Sequence, residues 1–130
     1  MDMEINFPGG KQVTSTYNGF TVATDLPKNE GGGGSAPAPF DLFLASIGTC
    51  AGVFVVFFCD SRKIPTDDIH IVLRFDRDDK SHLIKKIDID VYLPPGFPDK
   101  YRKGVIKAVE MCTVKRNLMD PPVIQVNDMS

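Results

Sequence analysis

The sequence predicts an α+β fold of one domain, residues 1–130, with antiparallel sheet wrapped on a long buried central helix. Three observations carry this reading. Residues 42–59 hold no charge, and their apolar or small side chains fall at every helical angle, so a helix over 39–64 needs burial on all sides. Both flanks of that stretch alternate apolar and polar residues as half-buried strands do. Beyond them a further run, residues 98–112, returns to helical spacing.

In chain order, Met3, Ile5 and Phe7 alternate with polar residues until Pro8-Gly9-Gly10 breaks the run, and a second extended stretch follows. Asn18-Gly19 tolerates the positive φ angles of a two-residue type I′ turn, and Phe20, Val22 and Thr24 resume the alternation, so residues 11–24 are expected as a β-hairpin. Four glycines, Gly31 to Gly34, precede Pro37 and Pro39. The prolines give the helix a defined entry, while the glycines are expected to stay mobile, beside a functional pocket or in a plain connector.

The helix is small-sided first (Ala45, Ser46, Gly48, Thr49, Ala51, Gly52) and bulky later (Val53 to Phe58). Eighteen uncharged residues with Gly48 and Gly52 four apart also fit a membrane span. Asp41 just before the run, flanking Lys and Arg no denser than elsewhere, and ordinary alternation beyond it favour a soluble buried helix. Ile64-Pro65 ends it. Ile69, Ile71, Leu73 and Phe75, a charged turn, then Ile87, Ile89, Val91 and Leu93 predict a second hairpin with one wet face, on which His70 is solvated. Pro98-Asp99 suits the start of another helix, whose inward face carries Tyr101, Val105, Ala108, Val109 and Cys112. Asp120-Pro121-Pro122 closes it, and residues 123–126 are expected as a last strand. One sheet covers only one side of an all-apolar helix, which predicts a homodimer in which Gly48 and Gly52 meet their counterparts.

Composition narrows the function. A net charge of −2 with 25% charged residues offers no footprint for nucleic acid or an anionic membrane. Three cysteines without an N-terminal apolar signal segment suit a reducing cytoplasm, and the two histidines lack zinc-ligand spacing, so no metal is expected. Cys50 and Cys59, nine residues apart on one helix, differ by ~180° and ~13 Å and cannot bridge. Cys50 lies among small residues that leave room for a ligand, Cys59 at the bulky end, and Cys112 on the inward face of the later helix. The pair with geometric promise is therefore Cys50 and Cys112, although a buried cysteine is ordinarily only a small hydrophobe. Lys115 and Arg116 follow within a turn and could favour a thiolate at Cys112. Phe43, Ile47 and Phe54 fall roughly on the face of Cys50 and would form an apolar wall.

The run GGGGSAPAPFDLFLASIGTC, with CTVKRNL roughly sixty residues later, resembles the OsmC/Ohr family of thiol-dependent peroxidases, and the order of elements matches nearly the whole chain. The pattern P-x-D-L-x-L-A-x-x-G-x-C followed by C-x-V carries the resemblance. It implies a swapped homodimer with two long central helices packed together. It also implies that the cysteine matching Cys50 attacks a hydroperoxide as thiolate and that Cys112 resolves the sulfenic acid to a disulfide. A reductant protein or small external thiol, of lipoyl type for example, would reopen that bond, with no bound cofactor. Family peroxidases add an arginine and an acid. Asp41 is the nearest acid here, but nine residues from Cys50 it needs a bent helix entry or a second subunit to act. No arginine precedes Arg62, which leaves Arg116 as the candidate cation ahead of Lys11 and Lys28. The expected function is thus reduction of organic hydroperoxides. The alternative is a non-enzymatic dimer binding an apolar small molecule in the same pocket.

Overall fold

The computed structural model describes residues 1–130. Its elements are β1 (Glu4–Gly9), β2 (Gln12–Tyr17), β3 (Phe20–Thr24), a 3-10 turn at Lys28–Glu30, α1 (Pro39–Asp60), β4 (His70–Arg77) and β5 (Ile84–Tyr92), then a 3-10 turn at Asp99–Tyr101, α2 (Arg102–Glu110) and α3 (Thr113–Met119). The class is α+β, with antiparallel sheets β1-β2-β3 and β4-β5. Two compact units divide the chain, Met1–Ala45 and Ser46–Ser130.

In the N-terminal unit the expected hairpin is β2–β3, closed by the pair Tyr17 and Phe20. Asn18 and Gly19 sit at φ +46° and +80°, as a type I′ turn requires. The glycine run departs from expectation, because it is a bonded loop rather than a mobile one. Buried Asp25 accepts from the N–H of Leu26 at 2.7 Å and from the Ser35 N–H and hydroxyl at 3.0 and 2.6 Å. These bonds, the Ser35 hydroxyl foremost, lower its pKa to about 2. Gly32 runs so close to the Leu26 carbonyl that a Cβ would lie 1.9 Å from its oxygen, so only glycine fits there.

In the C-terminal unit the later part of α1 buries one stripe, Ile47, Ala51, Val55 and Cys59, at the four-residue repeat of a helix face. Ala51, Val55 and Cys59 join Phe97, Val105 and Val109 in the core, with Ile69, Ile71, Ile89 and Val91 packed against it. Strands β4 and β5 pair Leu73 with Ile89 and Ile71 with Val91, as the alternation requires. On their wet face Arg74 binds Asp90, and exposed His70 stacks on Tyr92 at 4.7 Å. Beyond α1, the Arg62 guanidinium lies 3.7 Å over the Phe58 ring.

Within one chain α1 is covered on one face only, and Val53 and Phe57 are 46% and 62% exposed. By length and composition α1 could cross a membrane, yet its inner stripe is the core of this unit. Two expectations need correction. Gly48 is not a free pairing surface. A Cβ there would meet the Leu73 side chain at 2.8 Å, whereas Gly52 has nothing within 4 Å. Finally, residues 121–130 form no strand and are exposed. A strand exists only where an edge supplies its hydrogen bonds, and this segment lies on no edge of its own chain.

Candidate functional site: a paired thiol at a helix break

The amphipathic run that begins at Tyr101 does not continue as one helix. It breaks at Met111 and Cys112, whose N–H groups reach back to the Ala108 and Val109 carbonyls at 3.1 and 3.2 Å. Cys112 then turns extended, at φ −50° and ψ 132°, and α3 starts at Thr113. The break makes Cys112 the N-terminal flank of α3, where the first N–H groups of the helix have no partner in their own ladder.

Cys112 is fully buried and Cys50, on α1, is half-buried. Burial is the largest influence on the Cys50 thiol and by itself raises its pKa. The hydrogen-bonding influence of the Val114 N–H, then the Cys112 thiol and the Thr113 N–H and hydroxyl, together outweighs burial, so the pKa falls below its ordinary value. The Cys112 thiol moves the other way. Burial raises it, and its bond to Cys50 and the charge there raise it further, against partial relief from the Lys115 and Val114 N–H groups. Cys112 makes no side-chain capping bond to α3. Of the two thiols, the more accessible one is the readier anion.

The expected pair is therefore brought together, with one correction. What is corrected is the influence of Lys115 and Arg116: the Cys112 pKa is raised, with Lys115 acting through its backbone N–H, while that of Cys50 is lowered. Arg116 donates its N–H to the Cys112 carbonyl at 3.0 Å. Its side chain is exposed and lines an open surface cleft with Glu110, Lys115 and Asp120. Asp41 is exposed in the first turn of α1, which starts at Pro39. Lys11 and Lys28 are exposed in the N-terminal unit, which also holds Phe43.

Of the apolar wall, Ile47 lines a cleft of about 330 Å³ with Ile87, Ile89, Val109 and Leu118, and Phe54 is half-buried. Three or more His, Cys, Asp or Glu side chains are nowhere gathered to hold a metal ion. Thr113 and Val114 are the site residues that sequence reasoning missed. The signal for them was weak: two β-branched residues in succession, poor helix interior but acceptable in a first turn.

Similarity to known proteins agrees with this fold. A protein from Psychrobacter arcticus 273-4, described by osmotic stress induction and a detoxification response, is 16% identical, with 88% of this chain and 85% of that one covered at a TM-score of 0.74. An OsmC like protein from Mycoplasma pneumoniae is 14% identical over 92% and 87% of the two chains, with a TM-score of 0.71. A Legionella pneumophila protein, described as an organic hydroperoxide resistance protein OsmC and a regulator of sulfide bond formation, is 19% identical over 91% and 89%, at a TM-score of 0.50. No curated protein sequence matches the chain. The family model for OsmC-like protein matches residues 32–127, which include both cysteines of the pair, and the chain therefore belongs to the OsmC-like family.

Proposed function

We propose that this protein reduces organic hydroperoxides with its own two thiols, Cys50 attacking and Cys112 resolving, in defence against oxidative stress. The observation that carries the reading is the asymmetry of the pair: the half-buried Cys50 thiol has the lowered pKa and the buried Cys112 thiol the raised one. The Cys50 thiolate attacks the outer peroxide oxygen. An S–O bond forms, the O–O bond breaks, the alkoxide leaves and takes a proton, and Cys50 becomes a sulfenic acid. The Cys112 sulfur then attacks the Cys50 sulfur, forming the S–S bond while the hydroxyl departs with the Cys112 proton as water. Two thiols have supplied two electrons, with no bound cofactor in the balance. A small thiol or a reductant protein of lipoyl type returns them, and a reducing cytoplasm suits that cycle.

The cleft at Ile47, three residues before Cys50, supports an alkyl-bearing substrate over hydrogen peroxide, which gains little from an apolar wall. Arg116, one turn after Cys112, is the proposed cation for the departing alkoxide. Asp41 is proposed to act from a second subunit. A swapped homodimer is supported by the exposed outer face of α1 and by the exposed apolar tail at Val123, Ile124 and Val126.

Titration with cumene hydroperoxide and with hydrogen peroxide, following loss of free thiols, tests the reading. Cumene hydroperoxide is expected to react faster. Sedimentation is expected to find a dimer at micromolar concentration, and a stable folded monomer there removes the dimer. The same cleft favours a second reading, a dimer that binds an apolar small molecule without turnover. That reading takes over if protein with both thiols reduced consumes neither peroxide.

A further inference from the structure

We propose that the cleft of about 730 Å³ beyond the C-terminal end of α1 binds a planar aromatic carboxylate, with Arg62 and Lys63 taking the carboxylate and proline rings walling the aromatic part. Cys50 and Asp60, where the helix ends, stand ten residues and ~15 Å of helix apart. Ligand binding here and peroxide chemistry at the thiol pair therefore stand or fall separately.

Two features of the chain build the site. The first is a guanidinium held in place. Phe58, in the last turn of α1, fits against α2 because Gly104 leaves it room, since a Cβ there would lie 2.8 Å from the Phe58 ring. The Arg62 guanidinium lies 3.7 Å over that ring and 5.2 Å from the Tyr101 centroid. Its Nη1 donates to the Phe58 carbonyl and to the Ser61 hydroxyl, both at 2.9 Å. The Nε and Nη2 donors have no partner in the chain, and no carboxylate pairs with them. That edge is a two-donor fork whose spacing matches a carboxylate.

The second feature is a strained backbone at the next residue. Lys63 sits at φ +56° and closes α1, its N–H on the Asp60 carbonyl at 3.2 Å and the Ile64 N–H on the Cys59 carbonyl at 3.0 Å. This left-handed capping position ordinarily takes glycine, because a Cβ is disfavoured there. A lysine held there lines the cleft beside Arg62 at a loss of stability, and strain of this kind gathers where a ligand is bound.

The lining selects the ligand. The Lys100 ammonium also lies against Tyr101, 5.0 Å from its centroid, so one ring gathers two of the cations. Arg62, Lys63 and Lys100 against Asp67 and Asp68 leave one net positive charge, which suits a single negative charge better than the two of a phosphate. Pro65, Pro94 and Pro98 present rings without rotamer freedom, rigid walls that favour a flat ring over a flexible alkyl chain. The volume is that of a small-molecule site.

The test is isothermal titration calorimetry of the full-length reduced protein with 2-naphthoate, against 2-naphthalenemethanol, hexanoate and 2-naphthyl phosphate. Saturable binding of 2-naphthoate is expected, with the neutral alcohol about tenfold weaker or more and the other two weaker than the aryl acid. Arg62→Lys keeps the charge and loses the fork, and is expected to weaken 2-naphthoate about tenfold. Lys63→Gly is expected to weaken it about threefold while raising the urea midpoint, since glycine relieves the left-handed strain. A merely structural role for Lys63 would not join weaker binding to higher stability. Bound 2-naphthoate is expected to leave the rate of Cys50 alkylation by iodoacetamide unchanged. Four results overturn the proposal: no saturable binding at millimolar 2-naphthoate, binding that both variants leave unchanged, tighter binding of hexanoate or the phosphate, and protection of Cys50, which would place the ligand at the thiol pair. Should Arg62→Lys unfold early through its lost helix-end bonds, Lys63→Gly carries the comparison alone.

Discussion

Cys50 and Cys59 stand on the same helix, nine residues apart, and differ in almost everything that governs a thiol. Cys59 is fully buried in a core with Val55, Phe97 and Val105. Burial raises its pKa, the Asp60 carboxylate raises it further, and Arg62 offsets only part. Cys50 also pays for desolvation, but it faces the start of another helix, whose N–H groups, hydroxyl and neighbouring thiol more than compensate. Burial against hydrocarbon makes a packing residue. Burial beside hydrogen-bond donors lowers a thiol's pKa.

The largest test of this contrast is removal of each sulfur. Cys50→Ser is expected to abolish peroxide-dependent thiol loss, and Cys112→Ser to leave a single turnover that ends in Cys50 sulfinic or sulfonic acid by mass spectrometry. Cys59→Ala should leave that chemistry intact. If peptide mapping of oxidised protein finds Cys59 in an intramolecular disulfide, the contrast fails.

Packing gives the next largest effects. Gly48→Leu, forced against Leu73, is expected to cost roughly 1–3 kcal/mol in urea unfolding. Gly52→Leu meets nothing within its own chain, so its stability loss should be small. A dimer weakened by Gly52→Leu alone would place the subunit contact on that face of α1. Cys59→Ala is expected to lose about 1–2 kcal/mol at neutral pH through the cavity it leaves.

The smallest effect is one of pH. The folded pKa of Cys59 lies above its unfolded value, so folding favours the protonated thiol. The stability this gives is complete below the unfolded thiol pKa of about 8.5 and is lost as pH rises through the folded value. The advantage of wild type over Cys59→Ala in urea should therefore shrink above about pH 8.5, and a constant difference to pH 10 would contradict it. Cys50 has the opposite sign: its contribution is present at high pH and fades as pH falls through its lowered pKa.

The sequence by itself determined every element whose signal is local. Asn18-Gly19 dictated the first hairpin through φ angles few other pairs tolerate, and the alternation over β4 and β5 set which residues face the core. The uncharged run dictated α1, and spacing singled out Cys50 with Cys112 and set Cys59 aside. Tertiary structure decided what depends on partners distant in the chain. Asp25 turned four glycines into a bonded loop, since a buried carboxylate must find donors wherever the chain brings them. Leu73 claimed Gly48, which composition alone left equally free to meet another helix. The break at Cys112 is the clearest case. Residues 98–112 carry the spacing of one helix, and only the structure ends α2 at Glu110 and opens α3 at Thr113, directly after Cys112.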